Sequence, residues 1–304
     1  MAKEEQSEDL FSKAAAQEKA DLYLYNGPVN DVGYLQLIRA VSDPHHAKKA
    51  ILLITTYGGS AEPGYRIARW FQRFYEEFWL YPTSVCASAG TLIAMGAHGL
   101  YMSPFSELGP LDVQLKKRNE LNEFKSGLVT KAALEKLRDE ALQFWESFML
   151  EIKRKGGRSI TFDACANIAT AVCSAVFGEL YKKIEPEILG QDDRDLKVAQ
   201  EYGNRLARRG GNITEDSISK LVHGYPSHDF VIDSDEAETL FKAIEMPSNS
   251  LLEIALALAG RAFATSRSKV DTVRLASAPS EITSDTPKGN DDDQSSSADT
   301  SQSN

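Results

Sequence analysis

YGGSAEPG, residues 57–64, directly follows the apolar run AILLITT at 50–56. A run of aliphatic and β-branched residues that stops at two glycines reads as a buried strand ending in a tight turn. Ser60 or Ala61 then opens a helix expected to run through Phe78, with Ile67, Trp70, Phe71, Phe74 and Phe78 as one apolar stripe. Residues 82–86 give a second short strand, followed by the small-residue segment ASAGTLIAMGA at 87–97, which reads as a helix, and by GLYMS at 99–103, a further strand. Upstream, DLYLYNG at 21–27 is a strand, and VNDVGYLQLIRAVS at 29–42 is helical with Asp31 as its cap. Strand, crossover helix, strand is the pattern of a parallel α/β sheet. In such sheets, sites gather where the carboxyl ends of strands meet helix starts, which is where YGGS and CASAG both fall.

The second half is mainly helical. Residues 132–155, 162–184 and 192–209 read as helices, and Thr214 caps a shorter one ahead of HGYPSHDFVIDSDEAETLF. No solenoid repeat is visible. The organisation expected is a polar amino-terminal helix or arm at 1–20 that stays solvated, a core at 21–130, a helical remainder of the same fold at 131–277, and a disordered acidic tail at 278–304. That tail is rich in Ser, Asp and Thr, and six acidic residues against one lysine give it half of the net charge of −10.

Composition excludes several classes. A net charge of −10 argues against nonspecific binding to a phosphate backbone. Cys86, Cys165 and Cys173 form no CxxC pair and leave an odd thiol, so neither a disulfide framework nor a thiolate metal site is indicated. No metal and no organic cofactor is expected. Reduced thiols and a charged amino terminus without an apolar signal core suit the cytoplasm. No transmembrane segment is expected either, since the richest apolar run, ACANIATAVCSAVFGEL at 164–180, carries Asn167 and Glu179.

Phosphate binding is disfavoured at the first turn, because GGSAEPG lacks both the Walker lysine pattern and the G-x-G-x-x-G spacing. A Gly-Gly turn can also bare backbone N–H groups to the negative charge of a tetrahedral intermediate, which makes Gly58 and Gly59 an oxyanion hole or else a plain strand-to-helix turn. Ser88 has the same two readings. It is a helix cap, or it is a nucleophile kept accessible by Ala87, Ala89 and Gly90 at a helix's positive end.

TTYGGSAEPG and ASAGTLIAMGA resemble the Gly-Gly-Ser turn and the nucleophile helix of the Clp protease and signal peptide peptidase A superfamily. HGYPSHDFVID and GPLDVQ resemble its serine dehydrogenase proteinase branch. The resemblance runs from about residue 21 to 241. It implies an α/β fold, a Clp protease/crotonase-like ββα spiral with a mainly helical C-terminal half, acting on peptide or protein substrates as a homo-oligomer. The stripe of Leu137, Leu142, Trp145 and Phe148 is a surface such an assembly would cover.

The stretch after Ser88 lacks the histidine of a Clp triad. His98 ends the serine's own helix, and His223 and His228 serve only if the second half folds over the site. Signal peptide peptidases use a Ser-Lys dyad whose lysine precedes a long tryptophan-bearing helix. EFKSG ahead of Trp145 matches that segment, so the resemblance implies Lys125 as general base, with Lys131 next and Lys116 and Lys117 solvated. Two rivals remain. A crotonase-type acyl-CoA hydratase would use Glu62 or Glu107 beside the amides, and a catalytically silent oligomeric scaffold would use Ser88 only as a cap.

Overall fold

The computed structural model describes residues 2–41, 47–111, 114–116, 124–182, 186–265 and 268–278. The chain opens with helix α1 (Ala2–Glu18), then strand β1 (Ala20–Asn26), α2 (Asp31–Val41), β2 (Lys49–Thr56), α3 (Ala61–Phe74), β3 (Glu77–Cys86), α4 (Ala89–Met95) and the short strands β4 (Gly99–Tyr101) and β5 (Glu107–Leu108). A small antiparallel pair, β6 (Gln114–Lys116) and β7 (Phe124–Ser126), leads into the long α5 (Gly127–Gly156), α6 (Phe162–Tyr181) and α7 (Pro186–Gly210). After α8 (Glu215–His223) and α9 (Ser234–Leu240) come β8 (Ile244–Glu245), α10 (Asn249–Leu258), the single turn α11 (Gly260–Phe263) and β9 (Asp271–Ala276).

The main sheet runs β8-β4-β3-β2-β1-β9. Each new βα unit lays its strand beside the previous one, so β1 to β4 are parallel neighbours in chain order, as the expected α/β spiral requires. Only β9 is antiparallel, along the outer edge of β1. β4 covers the first half of β3 at Trp79 and Leu80, and β5 takes over at Val85 and Cys86.

Burial of β1 on both faces explains the apolar run Leu22–Tyr25 at its middle and places the strand in the central layer of a three-layer fold. Its alternation sorts the two cores. Tyr23 and Tyr25 point into one, with Leu52 and Ile54 of β2, Phe71 of α3, Leu92 of α4 and Leu206 of α7. Leu22 and Leu24 point into the other, with Ile51, Leu53, Ala14 and Ala15 of α1 and Leu251 and Ile254 of α10. The amino-terminal helix therefore packs its Ala14–Ala15 end into a core, where a solvated arm was expected. Alanines leave no side-chain bulk there, and that close approach is what the polar composition concealed.

Several boundaries differ from the sequence reading, two of them with a clear physical cause. α3 ends at Phe74, with Tyr75 already extended, so Phe78 leaves the helical stripe and belongs to β3, where it stacks on Phe71 at 4.5 Å. The run FWLY, aromatic and apolar with no cap of its own, suits a strand better than another helical turn. The cap of α2 is Asn30, whose Oδ1 accepts the Gly33 N–H at 2.9 Å, while Asp31 sits inside the first turn. Thr214 caps α8 as expected, accepting from the Ser217 N–H.

The last third of the chain closes the sheet through β8 and β9. Asp21, fully buried at the start of β1, accepts hydrogen bonds from Arg274 of β9 and from the Tyr75 hydroxyl, both at 2.9 Å. α5 and α6 lie side by side, joined by the Trp145 indole donating to Thr170 Oγ1 at 3.0 Å. On α6 only Cys165 and Ala169 are buried, and by length and composition it is apolar enough to cross a membrane, where the sequence of 164–180 led to the expectation of no transmembrane segment. The tail from 279 onward lies outside the described residues.

Candidate active site

β2 and β3 run in parallel and end beside each other, Thr56 opposite Cys86. The turns that follow, Tyr57-Gly58-Gly59 and Ala87-Ser88, are thus neighbours because of sheet register. Gly58 makes the contact close: a Cβ added there would lie 2.6 Å from Ser88 Cβ and 3.1 Å from Ser88 Oγ. Its φ of 102° is a conformation that L side chains rarely adopt, so both space and backbone demand glycine.

Ser88 is 4% exposed and takes φ 53° and ψ −113°, outside the regions open to a residue with a side chain at no cost. It occupies the cap position of α4, yet its side chain makes no capping hydrogen bond. A cap would hold extended backbone and accept from the first turn, as Thr161, Thr214 and Ser248 do on their helices. Strain of this kind, of order 1–3 kcal/mol, persists only where the surroundings enforce it.

The enforcement is visible. The Ala87 N–H donates to Thr56 O at 3.0 Å, the Gly90 N–H to Ala87 O at 2.9 Å, and the Leu92 N–H to Ser88 O at 3.1 Å. Thr91 Oγ1 donates to Gly109 O at 2.6 Å, which locks α4 to the segment directly after β5. Gly90 leaves room for its neighbours, since a Cβ there would lie 2.6 Å from Thr56 Cγ2 and 2.7 Å from Cys86 Sγ. Burial pushes the Cys86 thiol well above its ordinary range and leaves it an inert packing group.

The two glycine amides differ. The Gly58 N–H donates to Thr56 Oγ1 at 2.9 Å, whereas Gly58 O accepts from the Val29 N–H at 2.8 Å. For the Gly59 N–H no acceptor occurs among the described residues. The Ala89 N–H, first in α4, has no partner within the helix, as for any amide at a helix start. Sequence reasoning did not single out Thr56, and it named Ala89 only for its small side chain, not for its amide. The signal for Thr56 was a hydroxyl two residues ahead of a turn glycine, a spacing that favours side-chain capture of a backbone N–H.

The lysines stand otherwise. The Lys125 backbone sits in β7, paired with Leu115 of β6 immediately before α5. Its side chain and those of Lys131, Lys116 and Lys117 lie outside the described residues. Of the histidines, His98 is at the opposite end of β3, where its Nδ1 accepts the Phe78 N–H at 3.0 Å. His223 meets Gln200 on the surface. The segment with His228 does fold over this region. Ile232 pairs with Leu108 through two backbone bonds of 2.8 and 2.9 Å, and His228 O lies 3.9 Å from where a Gly109 Cβ would be.

Glu62 pairs with Arg66 along α3, and Glu107 is exposed opposite Val85. Among the described residues no group of three or more His, Cys, Asp or Glu could hold a metal ion.

No protein-family model and no curated protein matches the chain. Two of the solved structures similar to it are of the membrane-bound stomatin-specific protease 1510-N. One is a serine-to-alanine mutant, 16% identical, covering 78% of this chain and 83% of its own at a TM-score of 0.44. The other is a lysine-to-alanine mutant in complex with a substrate peptide, also 16% identical and at 0.44, covering 86% of this chain and 92% of its own.

Proposed function

We propose that the chain is a serine peptidase that cleaves peptide bonds through an acyl-enzyme, with Ser88 as nucleophile and Lys125 as general base. The observation that carries this is the Ser88 conformation: φ 53° at a strand-to-helix elbow, with the hydroxyl not used as a cap. Thr161, Thr214 and Ser248 start their helices from extended backbone without that strain, and a nucleophile held in the elbow at the carboxyl end of a sheet accounts for it. In the reaction Ser88 Oγ attacks the substrate carbonyl and passes its proton to the neutral Lys125 amine. The collapsing tetrahedral intermediate expels the leaving amine, which takes that proton, and water then hydrolyses the ester. The Gly59 and Ala89 amides supply the oxyanion donors, and Gly58, its own amide given to Thr56, supplies the space that brings the turn against Ser88.

The substrate is a peptide or protein segment, and no metal or organic cofactor enters any step. The catalytic core is the 21–130 region, with 131–277 completing the same fold. The working form is a homo-oligomer in the cytoplasm, covering apolar residues that α5 and α6 leave exposed, such as Leu142 and Ile168.

Steady-state hydrolysis of an unfolded protein such as casein tests the dyad. Ser88→Ala and Lys125→Met each abolish turnover while the melt is kept. The double variant is little worse than either, because residues acting as one unit are strongly non-additive. Lys131→Met is mild, and wild-type activity climbs with pH, since only the neutral amine accepts the serine proton. Full activity in Ser88→Ala would remove the serine-peptidase reading. Full activity in Lys125→Met would move the base elsewhere.

A further inference from the structure

We infer that Thr56 is the positioning residue of this site, a single side chain that sets the oxyanion turn and the nucleophile elbow together; the inference rests on the serine-peptidase reading above. Thr56 is fully buried and is the last residue of β2. Three of its groups act in three directions. Its carbonyl accepts the Ala87 N–H at 3.0 Å, one residue before the nucleophile. Its hydroxyl accepts the Gly58 N–H at 2.9 Å. Its methyl faces Gly90, where a Cβ would come within 2.6 Å of Thr56 Cγ2.

Threonine is the residue type that can do all of this. A β-branched side chain has one stiff χ1, so placing the methyl against Gly90 also places the hydroxyl under Gly58. Serine keeps the hydroxyl and loses the methyl contact, and valine does the reverse. Fixing the Gly58 N–H on one side, and Gly58 O on the Val29 N–H at 2.8 Å on the other, leaves the next peptide plane no freedom. Because a trans peptide holds C=O and N–H on opposite sides, the Gly59 N–H is thereby aimed away from Val29. Thr56 acts on the reaction through this turn without touching substrate.

Thr55 provides the contrast. Strand alternation sends its side chain to the other face, where its hydroxyl meets Thr83 Oγ1 at 2.7 Å and Ala262 O. It serves the core packing of α11, and among the described residues no hydrogen bond joins it to either turn.

The test measures kcat and KM for casein hydrolysis and the rate of fluorophosphonate labelling, on the full chain carrying Thr56→Val, Thr56→Ser or Thr55→Val. Expected is a fall in kcat and labelling rate of about tenfold or more for Thr56→Val with KM within about twofold, the signature of weakened transition-state donors. Thr56→Ser should restore most of the rate, and Thr55→Val should keep wild-type kcat while melting lower. If Thr56→Val has no cooperative melt, Thr56→Ser against Thr56→Ala isolates the same hydroxyl, and serine must be the faster. Wild-type kcat in Thr56→Val, or a gain showing that the hydroxyl withholds the Gly58 amide, would overturn the inference alone. A wild type that neither labels nor hydrolyses would remove the peptidase reading and this role with it.

Discussion

At the scale of residues, the site depends on side chains that are missing. Gly58 brings the first turn onto Ser88, and Gly90 and Gly109 let Thr56 and Ala87 close around the elbow. Gly58→Ala forces a Cβ to within 2.6 Å of Ser88 Cβ and holds an L residue at φ 102°. The expected result is loss of hydrolysis together with a loss of about 1–3 kcal/mol of stability. Thermal and urea melts alongside activity check this. Gly178→Ala, in α6 with nothing within 4 Å of the added Cβ, is the control and should gain up to about 1 kcal/mol. Equal melts for the two variants would mean that the Gly58 contact is not a constraint.

At the scale of elements, the strands were legible because β-branched and aliphatic runs bounded by glycine leave little ambiguity, and parallel order follows from the intervening helices. The end of α3 was not, since Phe78 continues the helical spacing while packing from a strand. The burial of α1 was hidden because Ala14 and Ala15 pack through closeness instead of apolar bulk. For the site, the glycines and Ser88 could be singled out by residue type at strand ends. The strained backbone of Ser88, the Thr56 bond to Gly58 and the return of residues 228–232 to β5 are tertiary facts with no local signature.

His98 ties the α4–β4 junction to the start of β3, and burial holds its pKa below the ordinary value of 6.5. Its Nδ1 can accept from Phe78 only while unprotonated. The unfolded chain therefore binds the proton more readily, so stability is present above about pH 6.5 and declines as pH falls below it. His98→Asn, which keeps an acceptor and cannot charge, should flatten that acid decline in melts taken between pH 7 and 5. An unchanged slope would assign it to other groups.

At the scale of the whole molecule, α5 and α6 leave several large apolar side chains exposed among the described residues. Ile168 and Val176 are 44% and 49% exposed on α6, and Leu142 and Leu150 exceed half exposure on α5. Scattered apolar residues are ordinary, but a mostly apolar helix that is largely uncovered is not. A second copy of the chain is the expected cover. Light scattering at micromolar concentration should report a dimer or larger, and Ile168→Glu with Val176→Glu should return a monomer that keeps its melt. A wild-type monomer would reject self-association through this face.

The central claim, that the strained serine at the end of β3 is a nucleophile, is tested most directly by treating the whole chain with a fluorophosphonate and mapping the modified peptide. The account predicts one adduct, on Ser88, absent from Ser88→Ala and slowed in Lys125→Met. A folded chain that takes no label at Ser88, or that labels equally well in Ser88→Ala, would contradict it.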